Sequence, residues 1–268
     1  MKMKHVLLLL LTAVLTMPLF SGEPVRRIFV TRHGQPGKPS SVPSMVSGDS
    51  ALSDLGREQA KLLGIYLKGL NFKGKIYASP YCRTVDTAVQ AARELGCKVI
   101  PDPRFQERVA DHRKGKDVPN TPNLKNGGHT IEQFRQMFPG MIDENAKLPK
   151  DWLLTEPEDY RTTHSARLMK GLDEVMKEQP EGDILVVSHA GAVLGMTLGL
   201  SKRAGFEDAP GGTRWNCCLF TYGVDKDGKI SYLGYTVDFM PDEKITSNSK
   251  YKIGGKNAKK SKKSKKTE

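Results

Sequence analysis

The 268-residue sequence predicts an α/β layered fold, a three-layer sandwich with a mostly parallel central sheet. Strand-length apolar runs alternate with segments of helical period through most of the chain, as in a sheet covered by helices. The run Ile184-Leu185-Val186-Val187 is continuously apolar, as a strand buried on both faces would be. Core positions extend from about residue 25 to about residue 240, so one domain is expected, with an appendage at each end.

The elements follow in order. Val25 to Thr31 is rich in β-formers and ends at Arg32-His33-Gly34. The stretch from Gln35 to Ser50 holds Pro, Ser and Gly and reads as a loop. Ser53 is placed to cap a helix whose apolar positions are Leu55, Leu62, Leu63, Tyr66, Leu67 and Leu70. Lys75 to Ser79 forms a second strand, broken by Pro80. Arg83 to Leu95 has helical period and Gly96 stands where a helix stops. Cys97 to Ile100 gives a short third strand. Residues 101–155 are irregular, except that Thr130 and Gln133 form a capping box for a helix running toward Phe138. A longer helix spans about Glu158 to Lys177, with Leu168, Leu172, Val175 and Met176 inward. Asp183 to Ser188 is a strand and Ala190 to Leu200 a helix. Trp215 to Val224 and Ile230 to Asp238 form two strands joined by the turn Asp227-Gly228.

The net charge of +12 suggests a nucleic-acid binder until it is located. Residues 250–268 carry nine lysines and one glutamate, eight of the twelve net charges, so the body is close to neutral. No specific nucleic-acid partner is therefore expected. Residues 246–268 read as a disordered Lys-rich tail, solvated or weakly attracted to anionic surfaces. Residues 1–22 read as a signal peptide: Lys2 and Lys4, an apolar run from Val6 to Leu15, then Pro18, Ser21 and Gly22. A secreted or periplasmic location follows, with a membrane anchor as the lesser alternative. The domain then covers residues 23–245. Cys82, Cys97, Cys217 and Cys218 lack zinc spacing and are expected to be mostly buried thiols, with a Cys82–Cys97 bridge an open alternative that is not predicted. Cys217 and Cys218, in a strand-like run, should point to opposite faces.

In such sheets reacting groups gather beyond the carboxyl ends of the strands. His33 follows the first strand, Arg83 the second and His189 the long buried one. This set suits phosphoryl transfer to histidine. A neutral imidazole attacks, cations hold the phosphate oxygens, and an acid protonates the leaving group. Arginine meets phosphate with a planar fork. Arg32, Arg83 and His189 are candidates for the oxygens and His33 for the nucleophile. Gly34 lets the backbone pass close to the phosphate. Gln35 is a further candidate for shaping the pocket. No metal or cofactor is expected.

These segments resemble the histidine phosphatase superfamily. The resemblance rests on Arg32-His33-Gly34, on Leu52-Ser53-Asp54-Leu55-Gly56-Arg57-Glu58-Gln59-Ala60, on Ala78-Ser79-Pro80-Tyr81-Cys82-Arg83-Thr84 with Val85-Asp86-Thr87-Ala88, and on Val186-Val187-Ser188-His189-Ala190-Gly191. It covers roughly residues 25–238 and implies a phosphoglycerate-mutase-like fold. It also implies that His33 forms a phosphohistidine and that Arg32, Arg83 and His189, with Gly34, Gln35 and Ala190 beside them, bind the phosphate. In the mutase-like branch the proton donor follows the third strand, which puts Glu107 of Pro103-Arg104-Phe105-Gln106-Glu107-Arg108 in that role. The acid-phosphatase branch extends its motif with Arg and Pro and places an Asp after the second His. Here Gln35-Pro36-Gly37 and His189-Ala190 stand instead, so the mutase-like branch is assigned.

Two segments depart from that branch: Gly37 and Pro39 replace a polar residue and an Asn, and Gly127-Gly128-His129-Thr130 replaces a Gly-Glu-Ser. The expectation is a phosphomonoesterase acting on a small phosphorylated substrate or phosphopeptide. A phosphoryl-transfer mutase and a non-catalytic phospho-ligand binder are the alternatives. His129 is a candidate substrate contact, His112 and His164 are read as surface residues, and Arg108, Asp111 and Arg113 as lining the pocket mouth or a solvated loop. Oligomeric state is not readable.

Overall fold

The computed structural model describes residues 24–37, 49–108, 128–154, 156–159, 162–208 and 212–247. The expected signal peptide, most of the Lys-rich tail, His112, Asp111 and Arg113 lie outside them.

The fold is the expected α/β sandwich, a six-stranded sheet flanked by helices. Its elements are β1 (Arg26–Arg32), α1 (Asp54–Gly69), β2 (Gly74–Ala78), α2 (Cys82–Leu95), β3 (Val99–Pro101), α3 (Ile131–Met137), α4 (Thr163–Glu178), β4 (Asp183–Ser188), α5 (Ala190–Arg203), β5 (Leu219–Val224) and β6 (Ile230–Thr236). The strand order is β3-β2-β4-β1-β5-β6. The first four strands of this order run parallel, while β5 and β6 are antiparallel additions at one edge. β4 is buried along its whole length, as its uninterrupted apolar run required. Helices pack in pairs, α1 against α2 and α4 against α5.

Local chemistry fixes the ends of the elements. Ser53 caps α1 by accepting from the Gly56 amide, 3.0 Å away. Thr130 and Gln133 form the reciprocal capping box of α3. Gly96 closes α2 in the left-handed conformation. Asp225 Oδ1 accepts from the amides of Asp227 and Lys229, folding the β5–β6 turn.

Three boundaries differ from the expectation. α4 begins at Thr163, because the Asp159 carboxylate takes the Thr162 amide and hydroxyl into a turn and delays the helix. β5 begins at Leu219, because residues 215–218 form a turn with Cys217 at φ 55°. Cys217 and Cys218 therefore sit before the strand, not on its two faces. Thr246 and Ser247, counted with the tail, belong to the folded body: Thr246 is buried and bonded to Gln59 and Asn216.

Candidate active site

The parallel register sets the site. Arg32 pairs with Ser188 and Ala78 with Val187, so β1, β2 and β4 end side by side. The His33 amide donates to Ser188 O (2.8 Å) and the Ser79 amide to Val187 O (3.0 Å), carrying the ladder one residue past each strand. β3 ends beside β2, and the Asp102 amide donates to Ala78 O. A 3₁₀ turn over Pro103–Phe105 then delivers Glu107. Arg32, His33, Arg83, Glu107 and His189 come from four parallel strand ends to one edge of the sheet, and all are buried.

The His33 ring lies 5.4 Å from that of His189, edge to face. His33 Nδ1 is 2.7 Å from the carbonyl oxygen of Gly34. A carbonyl only accepts, so Nδ1 carries the proton and Nε2 of the neutral ring is left with its lone pair. Burial, then the charges of Arg83 and Arg32, hold the ring well below the usual imidazole range. His33 is thus neutral at pH 7, with the nitrogen remote from its backbone as the nucleophilic one. The opposite tautomer is assigned to His189. Arg83 Nη2, always a donor, gives a hydrogen bond to Nδ1 (3.0 Å), so Nε2 holds the proton and donates to Ser79 Oγ (2.9 Å). Burial and then Arg83 also hold His189 well below its usual range.

The floor beneath His33 is tied from distant parts of the chain. Asn216 Nδ2 donates to His33 O (2.8 Å), and the Gly34 amide donates to Thr87 Oγ1 (2.9 Å). Gly34 is required because a β-carbon there would stand against the backbone of Gly56 at the start of α1. The Gln35 amide donates to Gln59 Oε1, and Gln35 O accepts from the amide and hydroxyl of Ser53. Arg32 extends to Arg214 O (2.8 Å) and Ser247 Oγ (3.3 Å).

Asp86 and Glu58, which Arg83 could meet on a helix surface, are engaged by other cations. Asp86 pairs with Arg57, and Lys244 pairs with Glu58. Arg83 instead lies 3.8 Å from Asp49, with its guanidinium over the Tyr81 ring. Asp49 accepts from the Cys82 amide (2.8 Å) at the start of α2 and faces His129 Nδ1 (2.9 Å). His129, a candidate substrate contact, is completely buried and stacked on Phe134, and so supports Asp49.

Glu107 also departs from a surface ion pair. Arg104 is taken by Asp102 and Glu178. The Glu107 carboxylate accepts from the amides of Gly191 (2.9 Å) and Arg108 (3.0 Å). Burial raises its pKa above the usual carboxylate range, and those two amides and the charges of Arg83 and Arg108 oppose the rise. His164, read as a surface residue, is buried with Nε2 at 3.8 Å from Glu107 Oε1. Ala190 opens α5 directly after His189, beside the site. Among the described residues, no cluster of three or more His, Cys, Asp or Glu is arranged to hold a metal ion.

The model of the histidine phosphatase superfamily (branch 1) matches residues 28–231. The chain belongs to the histidine phosphatase superfamily. A curated relative, the probable phosphoglycerate mutase GpmB of Erwinia tasmaniensis, is 26% identical over 186 residues, which span 66% of this chain and 77% of the relative. The ecdysone phosphate phosphatase of Bombix mori, solved with tungstate, matches with a TM-score of 0.58 at 18% identity, covering 85% of this chain and 98% of that one. This second likeness is one of fold. Membership makes the chain an enzyme fold of phosphate-ester chemistry, shared by phosphatases and mutases. The structure adds Asp49, Tyr81, His164 and Asn216 to the site. Two left a sequence signal: Tyr81 stands within the motif that ends on Arg83-Thr84, and His164 precedes Leu168 by four residues and so continues the inner stripe of α4.

Proposed function

We propose that this histidine phosphatase hydrolyses phosphate monoesters through a phosphohistidine on His33, with Glu107 as general acid. The observation that carries the reading is the fixed tautomer of His33: Nδ1 bound to Gly34 O at 2.7 Å and Nε2 left as the free base. In the first step the Nε2 lone pair forms a bond to phosphorus, and the bond from phosphorus to the leaving oxygen breaks. Glu107 passes its proton to that oxygen. In the second step water attacks phosphorus, its proton returns to the Glu107 carboxylate, the bond from phosphorus to Nε2 breaks with its electron pair returning to the ring, and inorganic phosphate departs. Arg32, Arg83 and the His189 imidazole would meet the phosphate oxygens, aided by Gln35 and the helix start at Ala190. Burial of Glu107 favours the protonated form that the first step needs. The substrate is a small phosphorylated molecule or phosphopeptide, the enzyme is secreted or periplasmic, and the Lys-rich tail adds weak attraction to anionic surfaces.

Rapid quench with a ³²P-labelled ester should trap one acid-labile phosphoryl group per chain, and His33→Ala should abolish both trapping and turnover. Wild-type turnover by His33→Ala would overturn the reading. The likeness to a phosphoglycerate mutase supports phosphoryl-transfer isomerisation as the second reading. Phosphorus NMR of the products decides between them, through free phosphate or a moved phosphoryl group.

A further inference from the structure

We propose that Arg167 and His164, one helical turn apart on α4, are positioning residues for the proton that Glu107 delivers. This rests on Glu107 as the acid of the phosphatase reading. Glu107 lies on an irregular segment that has no ladder to hold its carbonyls, yet three successive carbonyls are held by side chains. Arg167 Nη1 donates to Arg104 O (2.8 Å) and Nη2 to Gln106 O (3.1 Å). Ser188 Oγ, at the end of β4, donates to Phe105 O (2.5 Å). The Arg167 fork is in turn aimed by Glu158, which accepts from Nε (2.6 Å) and Nη2 (2.8 Å). One guanidinium thus bridges two carbonyls and a carboxylate, a task that only its planar array of donors performs. On the same helix face His164 stands 3.8 Å from Glu107 Oε1, with its ring buried. Burial and the nearby Arg167 lower its pKa to about 4, so the ring is uncharged at neutral pH. It fills the space beside the carboxyl without supplying a positive charge that would hold Glu107 ionised. Arg167 sets where the acid stands, and His164 sets what it stands against.

A positioning role of this kind affects only leaving groups that need a proton. The test compares kcat/KM on an alkyl ester, β-glycerophosphate, with kcat/KM on 2,4-dinitrophenyl phosphate, whose phenolate departs unprotonated. This constant reports the first transfer and not the later hydrolysis of the phosphoenzyme. Arg167→Lys keeps the charge but cannot span both carbonyls and Glu158. It should lower kcat/KM on the alkyl ester about 10- to 100-fold and change the aryl ester by less than about threefold, with inorganic phosphate inhibiting as before. His164→Ala, which opens the space beside the carboxyl, should give the same selective loss. Glu158→Gln, which leaves the α4 core untouched, should give a smaller selective loss and covers the case in which Arg167→Lys does not fold. Equal losses on both esters, or none on either, would overturn the positioning role while the phosphatase reading stands. A wild-type protein that turns over neither ester and traps no phosphoryl group would instead overturn the phosphatase reading, and this inference with it.

Discussion

The Glu107 carboxylate rests on the amide of Gly191, Oε2 accepting at 2.9 Å, in the space that a side chain at 191 would occupy. The acid and the second-histidine segment are therefore fitted to one another across the site. Gly191→Ala must push the carboxylate aside. The expected result is a loss of about 10²- to 10³-fold in kcat/KM on alkyl esters, the size of a general-acid contribution. Inhibition by inorganic phosphate should change only a few-fold. Steady-state kinetics with phosphate inhibition measures both, and an alanine variant of full activity would refute the role of Glu107.

Asp49 satisfies the first amide of α2, faces His129 and answers the charge of Arg83, all without solvent. Asp49→Ala leaves those donors buried together. Urea denaturation should show a stability loss of about 3 kcal/mol. Asp49→Asn, which keeps one acceptor oxygen in place, should lose less. A change below about 1 kcal/mol for the alanine variant would show that the carboxylate is dispensable to the fold.

Stability should fall on mild acidification. Burial holds His33, His164 and His189 below the ordinary imidazole value of 6.5, so folding favours their neutral forms. Below about pH 6.5 the unfolded chain binds protons that the folded chain refuses, and stability falls with pH. Glu107 and Asp86 are raised by burial and act the other way, because the folded form takes up their protons first as pH drops. Each histidine contributes a slope of up to about 1.4 kcal/mol per pH unit. Urea melts between about pH 7.5 and about pH 5.5 should show a net loss of about 2–4 kcal/mol. A flat profile would mean that the folded and unfolded chains take up equal numbers of protons over this range.

Reducing agent should leave the melting temperature unchanged. Cys82 begins α2 and Cys97 lies just beyond its end. A helix of 14 residues is about 21 Å long, three times the reach of a disulfide. Cys217 and Cys218 are buried free thiols whose pKa values burial pushes up, to about 12 for Cys218. Thiol titration in denaturant should find four thiols per chain, and a shift of several degrees with reductant would contradict this.

Much of the fold was legible because its determinants are local. The apolar run of β4, the capping Ser53, the Thr130–Gln133 box and the Asp227-Gly228 turn act within a few residues of themselves. His33, Arg83 and His189 were legible for the same reason, since His33 and His189 directly follow their strands and Arg83 opens the helix after its own. What escaped acts across the chain. Asn216 reaches His33 O from 183 residues away, and nothing in its neighbourhood marks it. Asp49 lies at the end of a stretch rich in Pro, Ser and Gly, and only the packed α2 gives its carboxylate a task. His129 was a candidate substrate contact, but its ring is buried with Nδ1 against Asp49. His164 was missed by reading residue type over position.

Thr246 gives the floor of the site a temporal meaning. Its hydroxyl joins Gln59 to Asn216, and Asn216 holds the backbone of His33. The His33 loop thus leans on Gln59, near the beginning of the folded body, and on Asn216 and Thr246, near its far end. A growing chain that has already made all four motifs still lacks the piece that braces them. Synthesis must pass Thr246 before the His33 loop is braced, so partly made chains carry the residues of the site without its geometry.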